Sequence, residues 1–393
     1  MKKILAILLA MMLVLAGCAD AEEPSVEEEI PSVEEETPST EEVPAEESLS
    51  VAILVPDVDD GSYFQAAVEG VKALEEKYPG TKTVAIDMGI MEAESPEAMP
   101  SAEEELEAYK DFFLDAAASG EYDLIVTAGA ECNAAFLYAA EQYPDQLFFS
   151  CDLQTAPESV PANVYGLTYK VEDLGYLAGY FAYQVTTSDM ELANEDKKVG
   201  VIVGMDFPGM NDYIGGFCQV CRDNGVTVYI DYPDGFWPDL IPIVVEQADA
   251  MYADGVDVIW QVAGAAGSGV FTSAAKNNAY AFGVDCDQTL TVADPAEVAT
   301  IITSFYQDYA AAIENAFISV KDGTFVGGKV DMVGLKEGFT GYANNDQYKA
   351  MVPQEIQDAI AALYEEMSTG SIEIFKVSDD PEGWEELKAA VAP

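Results

Sequence analysis

"SVAILVPDVDDGSYFQAAVEG", Ser50 to Gly70, joins an unbroken apolar run to an amphipathic run through a short polar turn. An apolar run without alternation is typical of a parallel strand that helices cover on both faces. The spacing of the apolar residues after the turn predicts a helix. The turn itself holds carboxylates, a hydroxyl and two adjacent aromatic rings, which a connection alone does not need. We therefore predict a strand, a helix and, between them, one edge of a ligand site.

The same alternation of apolar runs and amphipathic segments continues along the chain. The runs predicted to be strands are "SVAILVP", "KTVAID", "DLIVTAG", "LFFSCD", "NVYGLTY", "KVGVIVGM", "VTVYID", "VDVIWQVAG" and "AYAFGVD". The segment from residue 50 onward is longer than one hydrophobic core usually serves, so we expect two lobes. The predicted fold class is α/β, with two similar doubly wound lobes joined by a hinge. We place lobe 1 at 50-170, completed by about 293-325, and lobe 2 at 171-292, completed by about 326-393.

The N-terminus reads as a targeting segment rather than as part of the fold. "MKKILAILLAMMLVLAGCAD" begins with two lysines, continues with an apolar run too short for a comfortable membrane span, and ends in small residues before Cys18. The sequence "LAGC" resembles the lipobox of bacterial lipoproteins, in which cleavage before the cysteine leaves its thiol carrying lipid. We expect a signal peptide at 1-17 and a lipid on Cys18. The alternative is an ordinary signal peptide with a chance cysteine.

Residues 18-49 are predicted to be an acidic tether. Thirteen acidic residues and no basic residue lie between positions 19 and 49, in a near-repeat that places a proline in each unit. So few apolar residues and such frequent prolines do not support a core or a helix. We expect this segment to be disordered and extended by its own charge.

The charge and composition exclude several classes of function. The net charge is -55, the chain has no histidine, and Arg222 is its only arginine. Such a field repels nucleic acid, anionic lipids and phosphorylated ligands. Histidine-based catalysis, histidine-ligated zinc and arginine clamps on phosphate are excluded or nearly so. We expect no cofactor and no nucleic-acid partner.

Five cysteines follow Cys18, and an odd number cannot all pair within one chain. The pair in "CQVC" has the spacing of a redox or metal site, but it lies inside a predicted helix rather than at a helix N-terminus. No second pair with matching spacing exists to complete a zinc site. We expect thiols that pack in the interior. The five are Cys132, Cys151, Cys218, Cys221 and Cys286.

Unusual polar residues follow many of the predicted strands. These stretches are "DVDDGSYF", "GAECN", "GMDFPGMND", "DYPDGFWPD", "AGAAGSG" and "GVDCDQ". Ligands of open parallel sheets bind outside the carboxyl ends of the strands. We therefore expect the six stretches to line one ligand cleft.

Taken in order, these stretches resemble the basic membrane protein family of substrate-binding lipoproteins, of the purine nucleoside receptor type. The likeness covers nearly all of 50-343, and its most specific parts are "DDGSYFQAAVEG", "YDLIVTAG", "VGVIVGMD", "GVDVIWQVAGAAGSGVFTSA", "AFGVDCDQ" and "GLKEGFTGY". The resemblance implies a type I periplasmic-binding-protein fold that closes on a nucleoside and delivers it to an ABC importer. The partners would be the permease and ATPase subunits, with the protein a monomer held to the membrane by its lipid.

The resemblance carries several ligand contacts onto this chain. Asp60, Ser62 and Tyr63 fall on the family's Asp, Ser and first stacking aromatic residue. Each also has a simpler interpretation, because Asp60 and Ser62 suit a helix cap and Tyr63 suits ordinary packing. The glycine-rich loop at 264-269 falls on the family's approach loop and is alternatively only a tight turn.

The second aromatic face and the sugar contact come from the second lobe. Phe236 falls on the family's other stacking aromatic residue, although Trp237 next to it is an alternative. Asp285 falls on the ribose-binding aspartate, and Gly264 begins the loop that would approach the ligand. A flat neutral heterocycle fits between two aromatic faces, and a carboxylate accepts two sugar hydroxyls.

Three positions depart from the family pattern. Phe64 stands where the family has a base-reading asparagine, Asn133 lies near its base-reading aspartate, and Gln307 aligns with a lysine that reaches the sugar. A purine nucleoside remains the first expectation for the ligand. Pyrimidine, flavin-like and other nucleoside-like ligands stay open as alternatives.

Two other functional classes fit parts of the sequence. "PDVDD" is similar to the metal-binding start of calcium-dependent nucleoside hydrolases, with Asp57, Asp59 and Asp60 as candidate ligands, but such enzymes usually need histidine as well. A tethered sensor or surface interaction protein on the same scaffold is the other alternative. The sequence predicts a binding protein and not an enzyme.

Overall fold

The computed structural model describes residues 48–89 and 101–393. The predicted signal peptide, the lipid on Cys18 and nearly all of the acidic tether lie outside these residues. None of the helices in the described part combines the length and the apolar character needed to cross a membrane.

Strands and helices alternate through most of the described chain. In chain order the strands are β1 (Ser50–Val55), β2 (Lys82–Asp87), β3 (Leu124–Thr127), β4 (Leu147–Ser150), β5 (Val164–Tyr169), β6 (Lys198–Val203), β7 (Thr227–Asp231), β8 (Val258–Val262), β9 (Tyr280–Val284), β10 (Ile301–Gln307), β11 (Lys329–Val333) and β12 (Thr340–Tyr342). The α-helices are α1 (Tyr63–Lys77), α2 (Ala102–Ser119), α3 (Asn133–Gln142), α4 (Val171–Thr186), α5 (Pro208–Asn224), α6 (Ile241–Ala253), α7 (Ser268–Asn277), α8 (Pro295–Val298), α9 (Tyr309–Lys321), α10 (Asp346–Met351), α11 (Gln354–Ser368) and α12 (Pro381–Val391).

Each of the two lobes is built on one six-stranded sheet. In the first lobe the spatial order is β11-β5-β4-β3-β1-β2, and all neighbouring strands are parallel. In the second lobe the order is β12-β10-β9-β8-β6-β7, and the β10–β12 pair alone is antiparallel within this described sheet. The predicted α/β class with two doubly wound lobes is confirmed.

The packing of β1 explains why its sequence is an unbroken apolar run. Val51, Ile53 and Val55 pack with α1 and α9 on one face of the sheet. Ala52 and Leu54 pack with α2 and α3 on the other face. Because helices cover both faces of the sheet, the side chains of β1 lie in a core whichever face they point to, and they must be apolar.

The chain crosses between the lobes three times in its described part. Lys170 links β5 of the first sheet to α4, which packs in the core of the second lobe. Asp308 links β10 of the second sheet to α9, which packs in the first lobe. The segment 334–339 links β11 of the first sheet to β12 of the second. The backbone amide of Asp308 donates to the carbonyl of Phe339 at 2.7 Å, so two of the crossings touch.

The crossings correct the predicted completion of the lobes. The segment 293-325 was expected to complete lobe 1, but its strand β10 pairs with β9 in the second sheet and its helix α9 alone joins the first lobe. The segment 326-393 was expected in lobe 2, but β11 pairs with β5 in the first sheet. The chain passes from one lobe to the other at short polar connections. The pattern of apolar runs does not show where these crossings lie.

The described cysteines are free thiols, and all but Cys286 are buried. Cys218 and Cys221 lie within α5 and pack in the core of the second lobe. Burial raises the pKa of both thiols, which favours the unreactive protonated form. In the described residues no group of three or more His, Cys, Asp or Glu side chains is arranged to hold a metal ion.

Candidate functional site

The two lobes touch through loops at the carboxyl ends of their strands. Ser62 Oγ, after β1, donates to Asp285 Oδ2, after β9, at 2.7 Å. Thr291 Oγ1 donates to the carbonyl of Gly61 at 3.0 Å, and Cys286 Sγ lies 4.0 Å from the same carbonyl. The predicted ligand residues Ser62 and Asp285 therefore meet at the edge where parallel sheets bind ligands.

Asp60 caps helix α1. Its Oδ1 accepts the backbone N–H groups of Ser62 at 3.1 Å and Gln65 at 2.9 Å, and its Oδ2 accepts that of Phe64 at 3.2 Å. These are N–H groups that the first turn of a helix leaves unpaired. Burial raises the pKa of Asp60, and the three bonds offset part of that effect. The geometry makes Asp60 a positioning residue that fixes Ser62 and the first turn of α1.

Asp285 is a buried carboxylate in an unusual backbone conformation. It is 7 % exposed, and its φ of 66° lies in the left-handed region that non-glycine residues rarely adopt. Its second oxygen, Oδ1, accepts no hydrogen bond from the described residues. Burial raises the pKa of Asp285 to about 7, while the bond from Ser62 lowers it and the charge of Asp60 raises it further. Asp285 thus combines backbone strain with a desolvated carboxylate, a combination that is common at ligand sites.

A buried amide network holds the loop that carries Asp285. Gln288 Oε1 accepts the backbone N–H of Val284 at 2.9 Å and Gln261 Nε2 at 2.6 Å. The backbone N–H of Asp285 donates to the carbonyl of Phe305 at 3.0 Å. These bonds tie the loop to β8, β9 and β10, so the position of the carboxylate is fixed by the sheet.

Tyr63 and Phe64 have different roles in the structure. Tyr63 is half-buried, its Oη donates to Asp152 Oδ2 at 2.8 Å, and its ring meets that of Tyr309 edge-on at 5.5 Å. Phe64 is 6 % exposed and belongs to the core of the first lobe. Tyr63 is therefore tied to polar groups near the cleft, whereas Phe64 packs beneath it.

Phe236 lies against the backbone at the ends of β6 and β8. A Cβ at Gly204 would lie 2.1 Å from Cε1 of Phe236, and a Cβ at Gly264 would lie 3.2 Å from its Cβ. The carbonyl of Phe236 accepts the N–H of Ala266 at 3.0 Å. Trp237 is 37 % exposed and meets the Phe236 ring edge-on. The two glycines thus make room for Phe236, whereas Trp237 is exposed beside it, and the choice between them as second aromatic face stays a prediction.

The rest of the glycine-rich loop serves packing. Gly264–Gly267 forms a short 3-10 helix. A Cβ at Gly267 would lie 1.8 Å from Oε1 of Gln261, and one at Gly269 would lie 2.7 Å from the carbonyl of Ile241. The protein itself fills the space beside Gly267 and Gly269, so packing accounts for glycine at these positions, and the approach of their N–H groups to a ligand stays a prediction.

Asn133 and Gln307 are buried amides with unpaired atoms. Asn133, the first residue of α3, is 6 % exposed, and neither its Oδ1 nor its Nδ2 has a partner among the described residues. Gln307, at the end of β10, donates from Nε2 to Tyr213 Oη at 2.7 Å, but its Oε1 is unpaired. Leaving a buried polar atom unpaired costs roughly 1–3 kcal/mol. Such atoms mark places where a ligand or water completes the bonding.

Three further side chains near the cleft were not named as site residues, although "GAECN", which contains Glu131, was expected to line the cleft. Asp152 follows β4 and accepts the Tyr63 hydroxyl. Tyr213 lies in the first turns of α5 and accepts from Gln307. Glu131 follows β3, and burial raises its pKa to about 7. Asp152 and Glu131 directly follow strands of the first sheet, so the rule that ligands bind at the carboxyl ends of strands was the signal available for them. Tyr213 directly follows the stretch "GMDFPGMND", which was expected to line the cleft, but it lies inside a helix and was not named.

Comparison with known proteins identifies the family and agrees with the fold. A family model described as "ABC transporter substrate-binding protein PnrA-like" matches residues 48–373. "Basic membrane protein A" of Borreliella burgdorferi is 28% identical over 311 residues, which cover 78% of this chain and 81% of that protein. "ABC transporter nucleoside-binding protein BmpA" of Lactococcus lactis is 26% identical over 267 residues, which cover 64% of this chain and 71% of that protein.

Solved structures of solute-binding proteins share the fold. One from the ABC transporter system of Aeropyrum pernix superposes with a TM-score of 0.69 at 23% identity, covering 87% of this chain and 98% of that chain. One from Conexibacter woesei has a TM-score of 0.66 at 21% identity, covering 84% of this chain and 99% of that chain. With two doubly wound lobes that meet at the carboxyl ends of their strands, and with the family match across most of its length, the chain belongs to the PnrA-like substrate-binding proteins of ABC transporters.

Proposed function

We propose that this protein binds a nucleoside-like ligand, a purine nucleoside first among them, between its two lobes and delivers it to the permease of an ABC importer. The observation that carries the proposal is the meeting of Ser62 and Asp285 across the lobes, 2.7 Å apart. A ligand held between lobes stabilises the closed state through contacts that exist only when the lobes meet.

The chemistry of the cleft residues supports a ligand with a sugar and a ring. Asp285 Oδ1 is unpaired among the described residues and can accept a sugar hydroxyl, and Ser62 can add a second polar contact. Tyr63 and Phe236 supply aromatic surface from opposite lobes, and stacking on such a ring is worth roughly 1–3 kcal/mol per base. Asn133 and Gln307 offer unpaired amide atoms for the polar edge of a base.

The attachment to the membrane is part of the same proposal. We expect Cys18 to carry lipid and residues 19-49 to act as a charged spacer, which would hold the lobes near a permease on the outer face of the cell membrane. The protein would act as a monomer, because each copy contains both halves of the cleft. Metabolic labelling with a palmitate analogue tests the anchor, and Cys18→Ala should abolish the label.

A ligand panel tests the binding function directly. The full-length protein in detergent would be heated with purine nucleosides, pyrimidine nucleosides, bases, flavins and sugars. A ligand at a hundred times its dissociation constant adds about 2.7 kcal/mol to the free energy of unfolding, which shifts Tm by several degrees. A shift with an amino acid or a peptide and with no nucleoside would contradict the proposal.

A further inference from the structure

Four carboxylates surround the turn that follows β1. Asp60 caps the helix at this turn, Asp285 accepts from Ser62, and Asp152 accepts from Tyr63. Oε2 of the fourth, Glu131, lies 2.7 Å from the point that a Cβ at Gly129 would occupy, and the Phe64 ring lies 2.9 Å from that same point. The salt bridges within the described residues involve none of the four.

Several pairs of these carboxylates repel each other: Glu131 is repelled by Asp152 and Asp60, and Asp285 is repelled by Asp60. For Glu131, burial is the main cause of a pKa near 7, and the charges of Asp152, Glu105 and Asp60 add to it. For Asp285, burial again comes first and the charge of Asp60 adds to it. Like charges held together without a counter-ion favour any cation that can bind among them.

Aromatic rings and unpaired oxygens lie beside these carboxylates. The Tyr309 ring meets the rings of Tyr63 and Tyr169 edge-on, each at 5.5 Å. Tyr309 is 1 % exposed and Tyr169 is 6 % exposed, and both hydroxyl oxygens are buried without a partner among the described residues. Oε1 of Gln307, which is 4 % exposed, is unpaired as well. These buried polar atoms are independent of the carboxylates and also point to a bound group.

Electron-rich rings together with carboxylates are the surroundings that bind organic cations best. We propose that, among nucleoside-like ligands, this cleft selects those that carry a positive charge on the ring, held by Glu131, Asp152 and Asp285 beside the rings of Tyr63 and Tyr309. The proposal rests on the proposed function, since it names the class of ligand for the same cleft.

Binding of a cation should be linked to proton release. A positive charge among the carboxylates lowers their pKa values, so groups that are partly protonated at neutral pH lose protons when the ligand binds. Affinity for a cationic nucleoside should therefore rise between pH 6 and pH 8, and affinity for a neutral one should change less. The titratable groups that face the site from the packed elements are Asp60, Glu105, Glu131, Asp152, Asp285, Cys286, Tyr63, Tyr169, Tyr213 and Tyr309.

Matched pairs of nucleosides test the proposal by calorimetry on the full-length protein at pH 7. One pair is adenosine and 1-methyladenosine, which is cationic at this pH, and the other is reduced nicotinamide riboside and the cationic oxidised form. We expect at least one cationic member to bind about tenfold or more tightly than its neutral partner. Glu131→Gln should reduce that preference. Asp145→Asn removes an exposed acid elsewhere and should preserve it.

The outcomes separate this proposal from the proposed function. Binding of the neutral members with equal or higher affinity would overturn the charge preference and leave nucleoside binding standing. If Asp145→Asn abolished the preference for cations as fully as Glu131→Gln, the preference would arise from the net charge of the protein. That result would also overturn the proposed local site. Failure of all four nucleosides to bind a protein that melts cooperatively would overturn the charge preference, while the wider ligand panel decides nucleoside binding separately.

Discussion

The hydroxyl of Ser62 donates to Asp285 across the two lobes, although the two residues are 223 positions apart in the chain. Both side chains are almost fully buried, at 1 % and 7 % exposure. The bond satisfies one oxygen of a carboxylate that would otherwise be buried without a partner. A ligand hydroxyl that bonds to Asp285 can add to this contact or replace it, so ligand binding and lobe closure involve the same atoms.

Asp285→Asn should weaken ligand binding without unfolding the protein. The amide keeps the shape of the side chain but loses the charge and one of two acceptor oxygens, of which one accepts from Ser62 and the other can accept a sugar hydroxyl. Loss of a hydrogen bond to a charged group costs about 1.5–3 kcal/mol, which is roughly 10- to 150-fold in affinity. Calorimetry with the best ligand of the panel measures it, with Asp145→Asn as the matched control. Unchanged affinity would remove Asp285 from the ligand site.

The ligand-free protein should become less stable as the pH rises from about 4 to about 7. The pKa values of Asp285 and Glu131 are raised in the folded state from 3.8 and 4.5 to about 7, mainly by burial. Between those values the folded state binds more protons than the unfolded state. The stability that these two groups contribute is therefore fully present at about pH 4 and is lost as the pH rises through about 7. The loss is at most about 4 kcal/mol for Asp285, because one pKa unit is worth about 1.4 kcal/mol.

Urea unfolding at several pH values measures this dependence. The double variant Asp285→Asn with Glu131→Gln should flatten the curve between pH 4 and pH 7 and should be more stable than the wild type at pH 8. The net charge of -55 also destabilises the protein as carboxylates ionise. Asp145→Asn changes the net charge by the same amount as one of these substitutions and should leave the slope almost unchanged. An equally steep curve in the double variant would show that the two carboxylates titrate normally.

The pattern of apolar runs was sufficient to predict nine of the strands, β1 to β9. It did not predict β10, β11 or β12. The sequence of β10, "IITSFYQ", interrupts its apolar residues with Thr303 and Ser304, which are buried but hydrogen-bonded. Met332 of β11 is half exposed at the edge of its sheet. A strand that buries polar groups or lies at an edge lacks the continuous apolar run on which the prediction depended.

The site was predicted in part, and the limits have a physical cause. Ser62 and Asp285 were both identified from the resemblance, but their direct contact depends on how the lobes close. An aspartate suits both a ligand contact and a helix cap; the structure shows Asp60 as the cap, and its contact with a ligand stays a prediction. Tyr213 was missed because a tyrosine inside a helix is ordinary until the fold brings it to Gln307.

Gly204→Ala should weaken binding through Phe236 alone. The new methyl group would lie 2.1 Å from the ring carbon Cε1, so the ring must move from its present position. We expect affinity to fall by about as much as in Phe236→Ala, roughly 5- to 150-fold for the loss of one stacking face. Trp237→Ala, which truncates the exposed neighbour, should have little effect. A larger loss in Trp237→Ala than in Gly204→Ala would identify Trp237 as the second aromatic face.

The final prediction separates the ring of Tyr63 from its hydroxyl. Tyr63→Ala should lower affinity by roughly 5- to 150-fold, because it removes a stacking face and the bond to Asp152. Tyr63→Phe keeps the ring but leaves the buried carboxyl of Asp152 without the phenol, so it should lose part of that affinity and should further raise the pKa of Asp152, which the Tyr63 bond lowers. Asp152→Asn retains an acceptor for the phenol. Its ligand-free Tm should therefore lie closer to that of the wild type than the Tm of Tyr63→Phe does. If Tyr63→Ala instead binds normally and only its ligand-free Tm falls, Tyr63 is a packing residue.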